Sequence, residues 1–332
     1  MGKITQNIEK IFMISAAFAV FFSAIMSVCP GFAFLQETKK KGITYDIAVS
    51  AISIAVTVQD KNGLYIRDLV KENFSIYEND EKKEITYFSH NFDAPLSLTV
   101  LLDVSGSMAL LDRLKESKDA LKYLATYLLD ESDEVSLLIF ADGEVEVAVD
   151  FSKDKSGFFE VLEETEAYGQ TALNDAVGVS PEFANKGTYE KRALLLITDG
   201  IENDSQYSPD QAIEVARSVD IPIYTIGYKI PLSEQYLDKY KRTRGLTSSS
   251  IIGSLERYSS ATGGEAFFVD NDFDFKHALR MIKRELSHHY ILGYTSYTDP
   301  KDEYRKITVT TPKKNYKVRA REGYYSGEKK ES

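Results

Sequence analysis

Two runs of apolar residues dominate the middle of the chain. Leu98–Leu102 and Leu194–Thr198 are nearly continuous in hydrophobicity and of strand length, the pattern of strands covered on both faces in parallel α/β sheets. Val135–Ala141, Ile221–Tyr228 and Ala266–Val269 repeat the pattern. Between them lie amphipathic stretches of helical period. Ser107–Leu129 carries Leu110, Leu114, Leu121, Leu124 and Leu128 on one stripe and predicts a long helix. Phe158–Glu164, Leu173–Phe183 and Phe273–Leu286 predict three more, and Ser208-Pro209-Asp210-Gln211 opens another with a capping box and a proline at the first helical position. Asp142-Gly143 turns the chain into Val145, Val147 and Val149, an alternating strand expected to lie antiparallel at the sheet edge. Strands alternating with helices predict an α/β fold with a doubly wound, mostly parallel sheet.

The flanks read differently. Ile47–Val58 alternates, with Ile52, Ile54, Val56 and Val58 on one face, and Phe74–Tyr77 and Ile85–Phe88 are short strands separated by the polar turn Glu78–Lys83. Near the other end, Tyr290–Tyr294, Ile307–Thr311 and Tyr316–Ala320 are strands without helices between them. The economical arrangement pairs the strands of both ends into one small β domain, with the α/β domain inserted in its middle.

The start of the chain has its own pattern. Lys3 and Lys10 precede the apolar run Ile11–Val28, and Gly31-Phe32-Ala33 supplies a small-x-small site, the layout of a signal peptide cleaved after Ala33. An uncleaved anchor over residues 11–28 is the alternative, and a lipoprotein signal at Cys29 fits poorly because bulky Val28 precedes the cysteine. Each of these readings puts the folded part outside the cytoplasm. The expected organisation is a signal peptide over 1–33, a linker over 34–44, an N-terminal β segment over 45–94, the α/β domain over 95–286, a C-terminal β segment over 287–325 and a disordered tail over 326–332.

Composition narrows the function. The formal net charge of −11 argues against a nucleic-acid or anionic-membrane binder. The single cysteine lies in the N-terminal apolar run, so the folded part has neither a disulfide framework nor zinc-thiolate sites. His288-His289 stands at a helix-to-strand junction with no further ligand at metal spacing and reads as structural.

The candidate chemistry sits where the two central strands end. After Leu102 come Asp103, Ser105 and Ser107 at i, i+2 and i+4, with Gly106 giving the turn its freedom. The second strand ends in Asp199, and Thr171 precedes a helix in a loop that reaches the same edge. Asp103, Ser105, Ser107, Thr171 and Asp199 are all oxygen donors, which selects a hard cation such as Mg²⁺, with Mn²⁺ or Ca²⁺ as alternatives. Thr198 and Asp175 lie beside the set; Thr198 is a candidate to touch the site through its hydroxyl, although strand residues more often pack, and Asp175 is a candidate to support the ligands, although its place in the first turn of a helix accounts for it.

DVSGS, the Thr171 loop and ITDG, in that order, resemble the metal-ion-dependent adhesion site of von Willebrand factor type A domains. The flanking segments resemble a bacterial secreted family in which such a domain lies between β-rich pieces. The resemblance implies metal ligation by Ser105, Ser107 and Thr171, with Asp103 and Asp199 ligating directly or through water. Integrin-like versions carry further acidic residues after the second serine. Here Leu110 and Leu111 follow and only Asp112 is acidic, so a single metal is expected.

Two function classes follow. In the first, the cation bridges to an Asp or Glu carboxylate of a protein partner and no bond is broken. In the second, the metal is the Lewis acid of a phosphoester or ester hydrolase. Hydrolysis needs a general base or positioned cation, and no His or Lys belongs to the site loops, which favours a non-enzymatic binding module. The long connection after Tyr228 contains Lys239, Lys241, Arg242 and Arg244 and leaves the same strand edge. It is a candidate basic lid that draws an acidic partner to the metal, although charge runs are ordinarily solvated faces without a partner.

Overall fold

The computed structural model describes residues 48–230, 247–298, 303–313 and 315–326. The expected signal peptide, the linker and residues 327–332 lie outside the described residues. Among the described residues no helix is long and apolar enough to cross a membrane.

Six strands build the central sheet: β5 (Leu96–Asp103), β6 (Glu134–Ala141), β7 (Glu144–Ser152), β8 (Lys191–Thr198), β9 (Ile223–Tyr228) and β10 (Ala266–Val269). Their order is β10-β9-β8-β5-β6-β7, and all neighbours run parallel except β6 and β7. Helices cover both faces. On one face Val100 and Leu102 pack with residues of α1 (Arg113–Tyr123), α2 (Ser156–Glu164) and α6 (Asp272–Leu286); on the other Leu101 packs with α3 (Leu173–Ala184), α4 (Pro209–Arg217) and α5 (Ser248–Thr262). Successive residues of β5 point to opposite faces and both faces are covered, which is why its eight residues are all buried and read as one apolar run.

The long helix expected over Ser107–Leu129 is broken in two places. Gly106–Asp112 is an irregular 3₁₀ stretch in which Leu111 and Asp112 take φ of 58° and 56°. Regular helix begins only at Arg113, and its last turn, Leu124–Leu128, widens to a π-helix. Leu114, Leu121, Leu124 and Leu128 pack into the core as the stripe predicts, but Leu110 has extended backbone outside it, because periodicity does not report a break in the helix. The capping box at Ser208 and the β6–β7 hairpin form as the sequence predicts.

The chain ends interleave in two four-stranded antiparallel sheets. One, ordered β13-β1-β11-β4, joins β1 (Ala48–Gln59) and β4 (Ile85–Ser89) to β11 (Tyr290–Thr298) and β13 (Lys317–Arg319). The other, ordered β14-β12-β2-β3, joins β2 (Ser75–Glu78) and β3 (Glu81–Lys83) to β12 (Glu303–Thr310) and β14 (Gly323–Ser326). Residues read as a polar turn thus contain a strand, and a fourth C-terminal strand goes beyond the expected three. The inward face of β1, Ile52, Ile54, Val56 and Val58, shares a core with Ile76, Tyr290, Leu292, Ile307 and Tyr324.

Candidate metal centre

The sheet order reverses at β5: β6 lies on one side and β8 on the other, so the crevice beyond their carboxyl ends is the switch point where open α/β sheets bind ligands. Parallel pairing of Leu102 with Ile197 brings Asp103 and Asp199 to that crevice side by side. Both carboxylates are fully buried. Ser105 N donates to Asp103 Oδ1 at 2.9 Å, and the Ser105 and Ser107 hydroxyls lie 3.1 Å apart. The 105–107 turn therefore wraps back over the carboxylate that precedes it.

The Thr171 loop is tied to this turn by its backbone. Tyr168 N donates to Val104 O at 2.8 Å and Gly106 N to Gly169 O at 3.0 Å, while Asp142 N donates to Gln170 O at 2.9 Å. Two glycines make the approach. A side chain at Gly106 would meet Gly169 O at 3.2 Å, and one at Gly169, where φ is 67°, would fall 2.2 Å from the Asp142 carboxyl carbon. Thr171 itself is buried; its amide donates to Asn203 Oδ1 at 2.8 Å and its carbonyl accepts from the amides of Asn203 and Asp204 at 3.1 Å each. The loop after Asp199 is thereby locked to the Thr171 loop. Asp175 helps from the first turn of α3, accepting from Gln206 N and Tyr207 N at 2.9 and 2.8 Å.

Two further residues belong to the site. Thr198 does more than pack: its hydroxyl donates to Asp103 Oδ2 at 2.6 Å and accepts from Gly200 N at 2.9 Å. Arg113 is absent from the sequence-derived set, because a lone arginine eight residues past Ser105 carries no motif. Its fully buried guanidinium lies 3.1 Å from Asp199 Oδ2 and donates to Ser107 O at 3.0 Å and Lys229 O at 2.7 Å. Asp199 Oδ1 accepts from Ile201 N at 3.1 Å, whereas Oδ2 is buried and receives no hydrogen bond from the described residues.

Electrostatics follow from burial. Loss of water pushes the Asp103 carboxyl up to about 7, reinforced by the Asp199 charge; burial also raises Asp199, with Arg113 pulling the other way. Two such carboxylates call for positive charge beyond one guanidinium. The hydroxyls of Ser105, Ser107 and Thr198 lie around the pair, so the donor chemistry fits a hard divalent cation. No group of three or more His, Cys, Asp or Glu suited to a metal exists among the described residues, so a cation at this edge relies on hydroxyls. Lys239, Lys241, Arg242 and Arg244 lie outside the described residues.

Known proteins resemble part of this chain. The family model for the von Willebrand factor type A domain matches residues 98–202, from β5 through the Thr171 loop to just past Asp199. An uncharacterised protein of Borreliella burgdorferi is 24% identical over 218 residues, 61% of this chain; the chain likewise spans 61% of the length of that relative. Among solved structures, the conserved hypothetical protein BatB of Bacteroides thetaiotaomicron is 22% identical, covering 58% of this chain and 97% of that one at a TM-score of 0.45. The vWF domain of the type V pili tip protein Mfa5 of Porphyromonas gingivalis is 12% identical, covering 57% and 94% at a TM-score of 0.44. With the matched stretch running through both carboxylate-bearing strand ends, this chain contains a von Willebrand factor type A domain.

Proposed function

We propose that the chain is an extracytoplasmic, metal-dependent protein-binding module. The observation that carries the reading is the pair of buried carboxylates at the switch point, ringed by hydroxyls and faced by one guanidinium. Asp103, Ser105, Ser107, Thr171 and Asp199 would hold a divalent cation, Mg²⁺ in preference to Mn²⁺ or Ca²⁺. When bound, the cation supplies an electrophilic point of attachment for an Asp or Glu carboxylate of a protein partner. The N-terminal layout supports export, and the net charge of −11 supports a protein partner over a nucleic acid.

Adhesion of this kind suits the chemistry better than hydrolysis. The groups hydrogen-bonded to the two carboxylates are hydroxyls and amides, with a guanidinium beside them, and none of these takes up a proton at neutral pH. Calorimetric titration with Mg²⁺ and Mn²⁺ tests the reading. The expected result is about one ion bound by the wild type and none by Asp103→Ala or Asp199→Ala, with circular dichroism showing that both variants stay folded. Absence of binding by the wild type overturns it. Turnover of generic phosphoesters in the presence of Mg²⁺ or Mn²⁺ would move the assignment to a hydrolase.

A further inference from the structure

At the opposite edge of the six-stranded sheet, where β5 and β8 begin, lies a cavity of about 390 Å³. Phe92 and Asp93 reach it from the stretch before β5, Lys191 from the first position of β8, Lys283 and His288 from the end of α6 and beyond, and Arg67 from the connection after β1. The volume falls within the range of small-ligand sites.

The two lysines in its wall are in different situations. Lys283 forms ion pairs with Asp130 at 3.1 Å and with Asp133, whose oxygens also accept from Leu96 N and Asp130 N. Its charge is answered. Lys191 is only 6% exposed, and its ammonium donates to the neutral carbonyl of Phe92 at 2.7 Å. Among the described residues no carboxylate lies within ion-pair distance of it. Arg67 is exposed; its guanidinium sits 4.7 Å from the Phe92 ring centroid and also has no carboxylate partner among the described residues. Retaining a buried ammonium without a counter-ion is unfavourable, and leucine or methionine at the start of β8 would avoid it. Burial, with Lys283 and Arg67 nearby, pushes the Lys191 amine down to about 8, against the weaker pull of Asp93 and Asp133. An anion in the cavity would relieve that cost.

We propose that this cavity binds a small organic oxyanion, a carboxylate or a monophosphate, between the Lys191 ammonium and the Arg67 guanidinium. The Phe92 and His288 rings line the same space and take the carbon part of such a ligand, while the hydroxyl of Ser132 supplies a further hydrogen bond. Asp93 and Asp130 also border the cavity and oppose highly charged ligands such as polyphosphates. The site is independent of the metal centre, which lies at the other end of the same strands.

The test uses the full chain with acetate, succinate and inorganic phosphate as probes, each titrated calorimetrically and by thermal shift against sodium chloride at matched ionic strength. At least one probe should raise the melting temperature above the chloride control and protect Lys191 from acetic anhydride, read by mass spectrometry. Lys191→Met and Arg67→Gln should each weaken that probe by tenfold or more. Arg67→Gln changes an exposed residue, so it keeps the test valid should Lys191→Met fold poorly. A response to acetate or succinate assigns a carboxylate ligand, and a response to phosphate a phosphate ligand. The proposal is overturned when no probe exceeds chloride, or when the Arg67→Gln chain binds as tightly as the wild type.

Discussion

Arg113 leaves the helix at its first turn and places a guanidinium beneath the carboxyl edge of the sheet, between Asp199, Ser107 O and the carbonyl of Lys229. In the absence of another cation it is the positive charge nearest the two buried carboxylates. Arg113→Leu removes that charge while leaving Asp103 and Asp199 dry, so urea unfolding should show a loss of about 3–5 kcal/mol, the usual cost of breaking a buried pair. Arg113→Lys should recover part of it, since the charge returns without the bidentate reach to Lys229 O. Gly169 acts at the same scale through what it lacks. Gly169→Ala must place a methyl against the Asp142 carboxyl at positive φ, and thermal unfolding should register a loss of about 1–3 kcal/mol. The Thr171 loop then shifts away from the Ser105 turn, and the affinity for Mn²⁺, measured by electron paramagnetic resonance, should fall with it. Of these residues Asp103, Ser105, Ser107, Thr171 and Asp199 are legible from spacing, because strand ends and hydroxyl alternation leave a local trace. Arg113 is not, because its role depends on where β9 ends, 116 residues further on.

At the level of elements, α6 joins the parallel sheet to the antiparallel ones through Glu285. Its carboxylate is 1% exposed, accepts from Tyr224 Oη at 2.7 Å and Tyr65 Oη at 3.1 Å, and pairs with Arg319 of β13. Despite burial, the nearby His289, the charge of Arg319 and the hydrogen bond from Tyr224 hold this carboxyl at about 2, below its ordinary 4.5. A depressed folded-state value means that the unfolded chain takes up the proton first. The stabilisation is complete above pH 4.5 and is lost as the pH falls towards 2, a change of about 3 kcal/mol. Equilibrium unfolding across that window should show the Glu285→Gln chain with a flatter acid limb than the wild type. None of this network is visible in sequence: His288-His289 stands out, yet His289 serves here as one partner of Tyr224 and Glu285. The 3.6-residue period of α6 is legible in the sequence, whereas the left-handed residues Leu111 and Asp112 ahead of α1 are not, because a hydrophobic period reports faces and not the hand of the backbone.

For the whole molecule, the decisive fact is that neither antiparallel sheet can form from one end of the chain. β11 lies between β1 and β4, and β12 lies between β14 and β2. A chain ending at Leu286 would leave Ile52, Ile54, Val56 and Ile76 without Tyr290, Leu292 and Ile307. Such a truncation should bind a hydrophobic dye and be cleaved within residues 48–89 under limited proteolysis, with the parallel sheet more resistant. Hydrogen exchange that left β1 protected in the truncated chain would refute this. The parallel sheet, its covering helices, the antiparallel hairpin at its edge and the oxygen donors at the strand ends are all written in the residue pattern, because each rests on periodicity or spacing over a few residues. Only the tertiary structure decided that the chain ends form two sheets rather than one, that β14 crosses from its neighbour β13 to pair with β12, and that Arg113 sits under Asp199. Those choices depend on which surfaces of separate elements meet, and contacts between elements leave no period in the sequence of either one.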